Sequence, residues 1–408
     1  MSATFVILLA ATVAALVLWL VVLGRVARSV ARMPHVRDGV GAAPPVGGWP
    51  AVFVVVPAHN EERVIDACAK ALRAQDHPRL NAIFVLDRCS DASAEIVRRH
   101  AAADPRVIVL ENDACPPGWA GKCHAAWIGA EHARTLADGC DAASILIFTD
   151  ADTAFDPRLV RASVACAVAR DAGLLSLLPR LTTIHRFERM VQPVASMTLM
   201  RMYPIERVDH PRRPRPFANG QFLLFRRGAY DAVGGHAAVR NDLLEDLAFG
   251  RRMVDAGRRV SLLAADELLE VSMYDSLEAF ERGWTRIFIE ACQRRPSRLR
   301  KNAVRALVTG VAIPLAQAAL AVVCGAMLAR EPSSMVAWLG VGALVASLAA
   351  QAVALAWIYA LAGAPRSAIL AYPLGSIVVA RCLWTGATDL LRRRPIRWGG
   401  REYVLDPR

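Results

Sequence analysis

The sequence predicts an α/β fold: a mostly parallel sheet with helices on both faces, and transmembrane helices at both ends of the chain. Three observations carry that expectation. Between about residues 50 and 150, strand-like apolar runs alternate with helical patterns. Long apolar runs lie at 3–24, 303–328 and 334–363. Three of the strand-like runs end in polar clusters, which a parallel sheet would gather along one edge.

The run at 3–24 is uncharged and long enough to cross a bilayer. It lacks a basic leader and its apolar core is longer than a cleaved signal usually carries, so residues 1–25 are assigned to an N-terminal transmembrane helix. Arg25, Arg28, Arg32 and Arg37 come next, and residues 26–50 read as a basic juxtamembrane linker. Arg294, Arg295, Arg298, Arg300 and Lys301 precede the next apolar run. The positive-inside bias puts both clusters, and the module between them, on the cytoplasmic face of a bacterial-type inner membrane. The 408 residues are 55% apolar, with net charge +12 and mean hydropathy +0.31. Much of the charge lies in those flanks, which suits anionic lipid headgroups. No nucleic-acid motif accompanies it, so no nucleic-acid partner is expected. The nine cysteines are odd in number and include no Cys-x-x-Cys pair, which fits a reducing compartment and argues against a disulfide framework or a structural zinc site.

Within the middle module, Ala51–Val56 is a continuous β-branched run of the kind covered on both faces. A helix is expected over Val64–Gln75, a strand over Ala82–Leu86, and a helix over Ala92–Ala103. A strand at Val107–Leu110, a helix over Gly121–Ala137 and a strand at Ser144–Thr149 come after them. The strand ends carry His59-Asn60-Glu61, Asp87–Asp91 and Asp150-Ala151-Asp152. Two carboxylates one residue apart at a strand end can hold a hard divalent cation, Mg²⁺ or Mn²⁺, with substrate phosphates completing the shell. That points to a nucleotide-activated substrate. Each feature also has a plainer reading. Asp-x-Asp occurs in solvated turns, Lys122 is of a type usually solvated, and Asp87 could cap the next helix. Glu245 and Asp246 could complement the dipole of a helix over Leu243–Ala256. Trp119 reads equally as core or as pocket lining. The coincidence of the polar clusters along one edge outweighs any single motif.

On these residues the chain resembles a family-2 glycosyltransferase with the nucleotide-diphospho-sugar transferase (GT-A) fold, over about Ala51–Gln293. Within that family the pattern is closest to membrane-bound hopene-associated and carotenoid-type members. The segment Val56–Glu62, with Pro57, His59, Asn60 and Glu61, resembles the loop that meets the nucleotide base. Asp87–Asp91 resembles the next loop, which implies that Asp87 contacts the uracil–ribose part of a UDP-sugar; where the family often has a preceding Asp, this chain has Leu86. Pro116–Ala125 resembles a segment that faces the nucleotide with Lys122. Asp150 and Asp152 match the metal motif. Asn219-Gly220-Gln221 resembles the acceptor-side loop, and Glu245-Asp246 the catalytic carboxylate pair, with Asp246 as base. Trp398–Tyr403, with Trp398 and Arg401, resembles a C-terminal signature of lipid-modifying members and is placed on the acceptor side. The resemblance implies an inverting, metal-dependent hexosyltransferase.

The catalytic domain is therefore set at 51–273, and an amphipathic interfacial helix at 274–301. A membrane region is set at 302–391, then a cytoplasmic tail at 392–408. The Met-rich stretch 187–208 reads as a core helix or as an interfacial lipid guide. Residues 367–391 contain Pro373, Gly375, Arg381 and Asp389, which are costly in hydrocarbon. A re-entrant or interfacial segment there is expected, which would keep the C-terminus cytoplasmic. The Gln-x-x-Arg-Trp of processive synthases has only Gln293-Arg-Arg-Pro296 as its nearest match, which favours transfer of one sugar to a lipid of isoprenoid or hopanoid type. The competing readings are a processive polysaccharide synthase and a non-catalytic membrane scaffold with a decayed transferase domain.

Overall fold

A computed structural model describes residues 2–208, 210, 214–398 and 401–408. The first helix, α1 (Ala3–Arg32), continues past the apolar run into the basic segment. The linker beyond α1 docks on the module instead of hanging free. Val36 is fully buried, and His35 Nδ1 lies 2.8 Å from the Asp266 carboxylate.

The module begins with β1 (Val52–Ala58), α2 (Ile65–Arg73), β2 (Leu80–Asp87), α3 (Ser93–Ala103), β3 (Val107–Asn112), α4 (Gly121–Ala133) and β4 (Ile145–Thr149). β1 pairs in parallel with both β2 and β4, and β2 with β3. The chain continues through β5 (Thr153–Phe155), α5 (Leu159–Ala169), β6 (Leu174–Leu178), β7 (Arg180–Leu181) and α6 (Arg186–Met202). Next come β8 (Phe222–Arg226), α7 (Arg227–Ala232), α8 (Gly235–Ala238), α9 (Glu245–Asp255), β9 (Val260–Ala264) and β10 (Leu269–Val271). The main sheet has seven strands in the order β3-β2-β1-β4-β8-β6-β9. β8 runs antiparallel to both neighbours, so the sheet is mostly and not wholly parallel.

The alternation within β1 explains the two cores. Val52, Val54 and Val56 face one layer with Ile65 and Leu72 of α2 and Val160 of α5. Phe53 and Val55 face the other with Ala126 and Ala130 of α4 and Phe249 of α9. α4 approaches the sheet closely because Gly129 has no side chain: a Cβ there would collide with Val55.

The C-terminal part comprises α10 (Leu277–Ala291), α11 (Pro296–Leu307), α12 (Ile313–Arg330), α13 (Met335–Leu361), α14 (Tyr372–Leu391) and a hairpin, β11 (Ile396–Trp398) with β12 (Arg401–Tyr403). Two expectations need correction. Residues 274–301 are two helices, not one. Gln293 and Arg294 adopt positive φ (58° and 55°), and Pro296 opens α11, which passes through a π-turn at Val308–Ala312 into α12. Nor does the apolar face of α10 lie open to headgroups. Phe280, Trp284 and Phe288 are buried in the protein, within a core shared with α14 residues Val379, Leu383 and Ala387.

α1, α12 and α13 form a bundle. At its far end a Cβ on Gly340 would sit 2.6 Å from the Cys324 sulfur and 3.2 Å from Phe5. At its near end Ser29 donates to Glu206 (3.0 Å) and the Tyr359 hydroxyl donates to the Met190 carbonyl (3.4 Å). α14 behaves differently. Just before it, the Gly363 carbonyl accepts from Thr183 of the module (3.1 Å). Along its length it packs on α6, α10 and α11. After it, the hairpin returns to the loop before α4. By length and composition the segments containing α1, α11–α12, α13 and α14 could each cross a membrane.

Candidate active site

The carboxyl ends of β1, β2 and β4 lie side by side, and the loops leaving them interlock. Pro57, near the end of β1, stands opposite Val85 of β2. His59 Nδ1 is 2.6 Å from the Asp87 carbonyl oxygen. Asn60, in the left-handed region at φ 59°, accepts from the Ser90 N–H at 2.8 Å. The Glu61 N–H donates to Ser93 (2.9 Å). Residues 59–61 are thus tied to the loop that leaves β2.

Asp87 is buried, and its carboxylate accepts from Arg88 Nη2 (2.6 Å) and Asn112 Nδ2 (2.6 Å). Neither partner was singled out from sequence. Arg88 is adjacent in the chain, but Asn112 arrives from the end of β3 by strand pairing alone. Gly121, the first residue of α4, lies against this pair; a Cβ there would stand 3.0 Å from Arg88 Nη2 and 3.3 Å from Asp87 Oδ2.

One residue on, Lys122 joins the remaining pieces. Its ammonium lies 2.7 Å from Asp150 Oδ1 and 2.9 Å from Glu245 Oε1. Burial alone would lower its pKa, but the Asp150 and Glu245 carboxylates outweigh that, so the net shift is upward. Asp246 Oδ2 accepts from the Gly220 N–H at 2.8 Å, and Oδ1 from the Leu247 N–H at 2.7 Å. A Cβ on Gly220 would touch Asp246, Lys122 and Glu245 at 3.3–3.5 Å, so the loop backbone itself is packed against the charged group. Gly220 is held from both sides. The Asn219 N–H donates to Ser176 of β6 (2.8 Å), and the Gln221 carbonyl accepts from Thr149 of β4 (2.8 Å). Burial first, and then the neighbouring Glu245 charge, raise the Asp246 pKa to about 7.

On the far side of Asp150, Asp152 is pushed up to about 8 by burial and by Asp150 and Glu61. Glu61 itself rises to about 6 through burial and the charge of Asp150. Asp152 Oδ1 is buried with no hydrogen-bond partner. Among the described residues no group of three or more His, Cys, Asp or Glu side chains could hold a metal alone. An orphaned carboxylate oxygen beside a second carboxylate fits a divalent ion whose other ligands come from substrate and water.

The structure brings together Lys122, Asp150, Gly220, Glu245 and Asp246, with Asp152 and Glu61 within electrostatic reach. Trp398 and Arg401 stand elsewhere. Arg401 donates to the Cys115 and Trp119 carbonyls (3.0 and 2.9 Å). Trp398 lies under the Arg286 guanidinium, 4.2 Å from its ring centre. Gly399 and Gly400 of the same signature lie outside the described residues. Arg286 was not recognised from sequence. Its Nε and Nη1 are buried without hydrogen-bond partners. The charges of Arg286, Asp152 and Asp150 all reach the buried phenol of Tyr274. The only sequence signal for Arg286 was its place in an amphipathic helix.

A family model described as glycosyltransferase-like family 2 matches residues 50–287. No curated protein sequence matches significantly. Among solved structures, the chain resembles the mannosyltransferase PcManGT of Pyrobaculum calidifontis, solved with GDP-Man and Mn²⁺. Identity there is 20%, the TM-score 0.48, and the alignment covers 92% of this chain and 98% of that one. It also resembles residues 1–349 of S. aureus TarS in complex with UDP-GlcNAc (13% identity, 87% and 96% covered, TM-score 0.38). A third is glucosyl-3-phosphoglycerate synthase from Mycobacterium tuberculosis, solved with Mn²⁺, UDP and phosphoglyceric acid (15% identity, 62% and 84% covered, TM-score 0.39).

Proposed function

The chain belongs to the glycosyltransferase-like family 2, and we propose that within it the protein moves a single sugar from a nucleotide-diphosphate sugar, by preference a UDP-sugar, to a lipid acceptor at the membrane surface. The observation that carries this reading is the convergence on Lys122. Carboxylates from β4 and from the start of α9, distant in sequence, share its ammonium at the carboxyl edge of the sheet.

Each residue then has work suited to its surroundings. Asp87, Arg88 and the 59–61 loop form the nucleotide end. Lys122 and the Arg286 guanidinium, whose Nε and Nη1 are buried without hydrogen-bond partners, supply positive charge for the diphosphate. Asp150 and Asp152 would hold the divalent cation, which when bound neutralises the diphosphate leaving group as a Lewis acid. Asp246, fixed by two backbone N–H groups and poised near neutral pH, takes the proton of the acceptor hydroxyl. Attack from the face opposite the leaving group inverts the anomeric carbon.

The acceptor is an isoprenoid- or hopanoid-type lipid. What supports this is the set of apolar helices at both ends of the chain, with α6 of the module packed on α14. The basic flanks favour a cytoplasmic module in a bacterial-type inner membrane, and the missing Gln-x-x-Arg-Trp favours single transfer. Membranes containing the protein, incubated with a panel of labelled nucleotide sugars and Mn²⁺, are expected to yield a lipid extract with one added hexose by mass. A ladder of products would favour a polysaccharide synthase, and no labelled product with any donor would favour a scaffold.

A further inference from the structure

We propose that the C-terminal hairpin is a clamp on the donor half of the site, with Arg401 and Tyr403 as positioning residues for the segment that presents Lys122. This rests on the donor-site reading above and reverses the acceptor-side placement expected from sequence.

The contacts are specific. Arg401 Nη1 donates to the Trp119 carbonyl (2.9 Å) and to the Cys115 sulfur (2.9 Å), and Nη2 donates to the Cys115 carbonyl (3.0 Å). One guanidinium therefore closes the loop from 115 to 119 on itself, a task that suits a rigid fork of donors and that a lysine ammonium cannot reproduce. The Tyr403 hydroxyl accepts from the Gly121 N–H (3.3 Å), across 282 residues of sequence. Gly121 is the first residue of α4, has Arg88 and Asp87 at 3.0 and 3.3 Å from where a Cβ would stand, and is followed directly by Lys122. Pairing of Trp398 with Arg401 in the hairpin also sets Trp398 under Arg286, 4.2 Å from the ring centre. The tail is anchored behind the hairpin by Arg393 on Asp406 (2.9 Å) and by the Arg408 N–H on the Arg294 carbonyl (2.9 Å).

The contacts of Arg401 and Tyr403 reach the loop and helix start that carry Lys122, and that of Trp398 reaches the Arg286 guanidinium. The clamp thus sets where Lys122 and the α4 N-terminus stand relative to Asp87, and so the site offered to a nucleoside diphosphate.

The test uses full-length protein in nanodiscs, titrated calorimetrically with UDP and with GDP in the presence of Mn²⁺, with thermal midpoints recorded in parallel. Arg401→Met is expected to weaken nucleotide binding roughly ten-fold, Arg401→Lys by almost as much, and Tyr403→Phe several-fold, all with midpoints close to wild type. Lys122→Met provides the donor-site reference and Asp246→Asn the acceptor-side reference, whose nucleotide affinity stays at the wild-type value. Hairpin variants that bind nucleotide like Asp246→Asn while Lys122→Met does not would overturn the clamp and leave the donor site intact. A wild-type protein that binds neither nucleotide would overturn the donor site and the clamp with it. Should Arg401→Met fail to fold, Tyr403→Phe, which removes one oxygen, carries the test.

Discussion

Asp246, the proposed base, can take a proton only when ionised, and burial and the adjacent Glu245 raise its pKa to about 7. The ionised fraction therefore shrinks as pH falls below about 7. The kcat of transfer is expected to drop about ten-fold per pH unit there and to level off above; a rate flat from pH 5 to 8 would remove Asp246 as base. Lys122 carries a different burden. Replacing it with Met leaves Asp150 and Glu245 side by side without their shared cation and removes the charge-assisted contact proposed for the diphosphate. Nucleotide affinity in Lys122→Met is expected to fall roughly 10- to 100-fold, readable by calorimetry.

Among the elements, α14 depends on close approach. A Cβ on Gly375 would collide with the Met190 carbonyl oxygen of α6, which is backbone and cannot swing aside. Gly375→Ala is expected to destabilise the protein by about 1–3 kcal/mol, seen as a lowered thermal midpoint in detergent. Gly342→Ala on α13, where nothing lies within 4 Å, is expected to be neutral and controls for substitution in an apolar helix. The elements also show what could be read in advance. β1, β2 and β4 are apolar runs between clear turn residues, and their polar ends mark the edge of the candidate site. β6, β8 and β9 are five-residue segments that apolar periodicity alone cannot distinguish from buried helix. The antiparallel run of β8 is a matter of tertiary pairing. The split between α10 and α11 rests on positive-φ Gln293 and Arg294, residue types that do not advertise that conformation. Asp150, Lys122 and Asp246 were legible because short motifs carry them. Arg286 and Asn112 were not, because their partners lie far away in sequence, and Tyr403 ends a recognisable signature whose contact with Gly121 only the structure shows.

At the scale of the whole molecule, α1, α12 and α13 run between the module and a common far end, whereas both flanks of α14 touch the module. Three crossings with a C-terminus on the module's side is the expected topology. Single-cysteine labelling in sealed vesicles, on a chain cleared of its native cysteines, checks it. Positions 140 and 408 are expected to react from the same face, and position 333, in the α12–α13 turn, from the opposite one. Position 408 reacting with 333 would make α14 a full span and detach the hairpin from the donor loop. If carboxylates scattered along the chain meet at one metal-assisted transfer centre, a comparison of wild type with Asp246→Asn, each assayed for lipid-linked label and for nucleotide binding, will separate transfer from binding. The expected result is transfer slowed at least about 100-fold with nucleotide affinity unchanged; transfer at the wild-type rate in Asp246→Asn would contradict it.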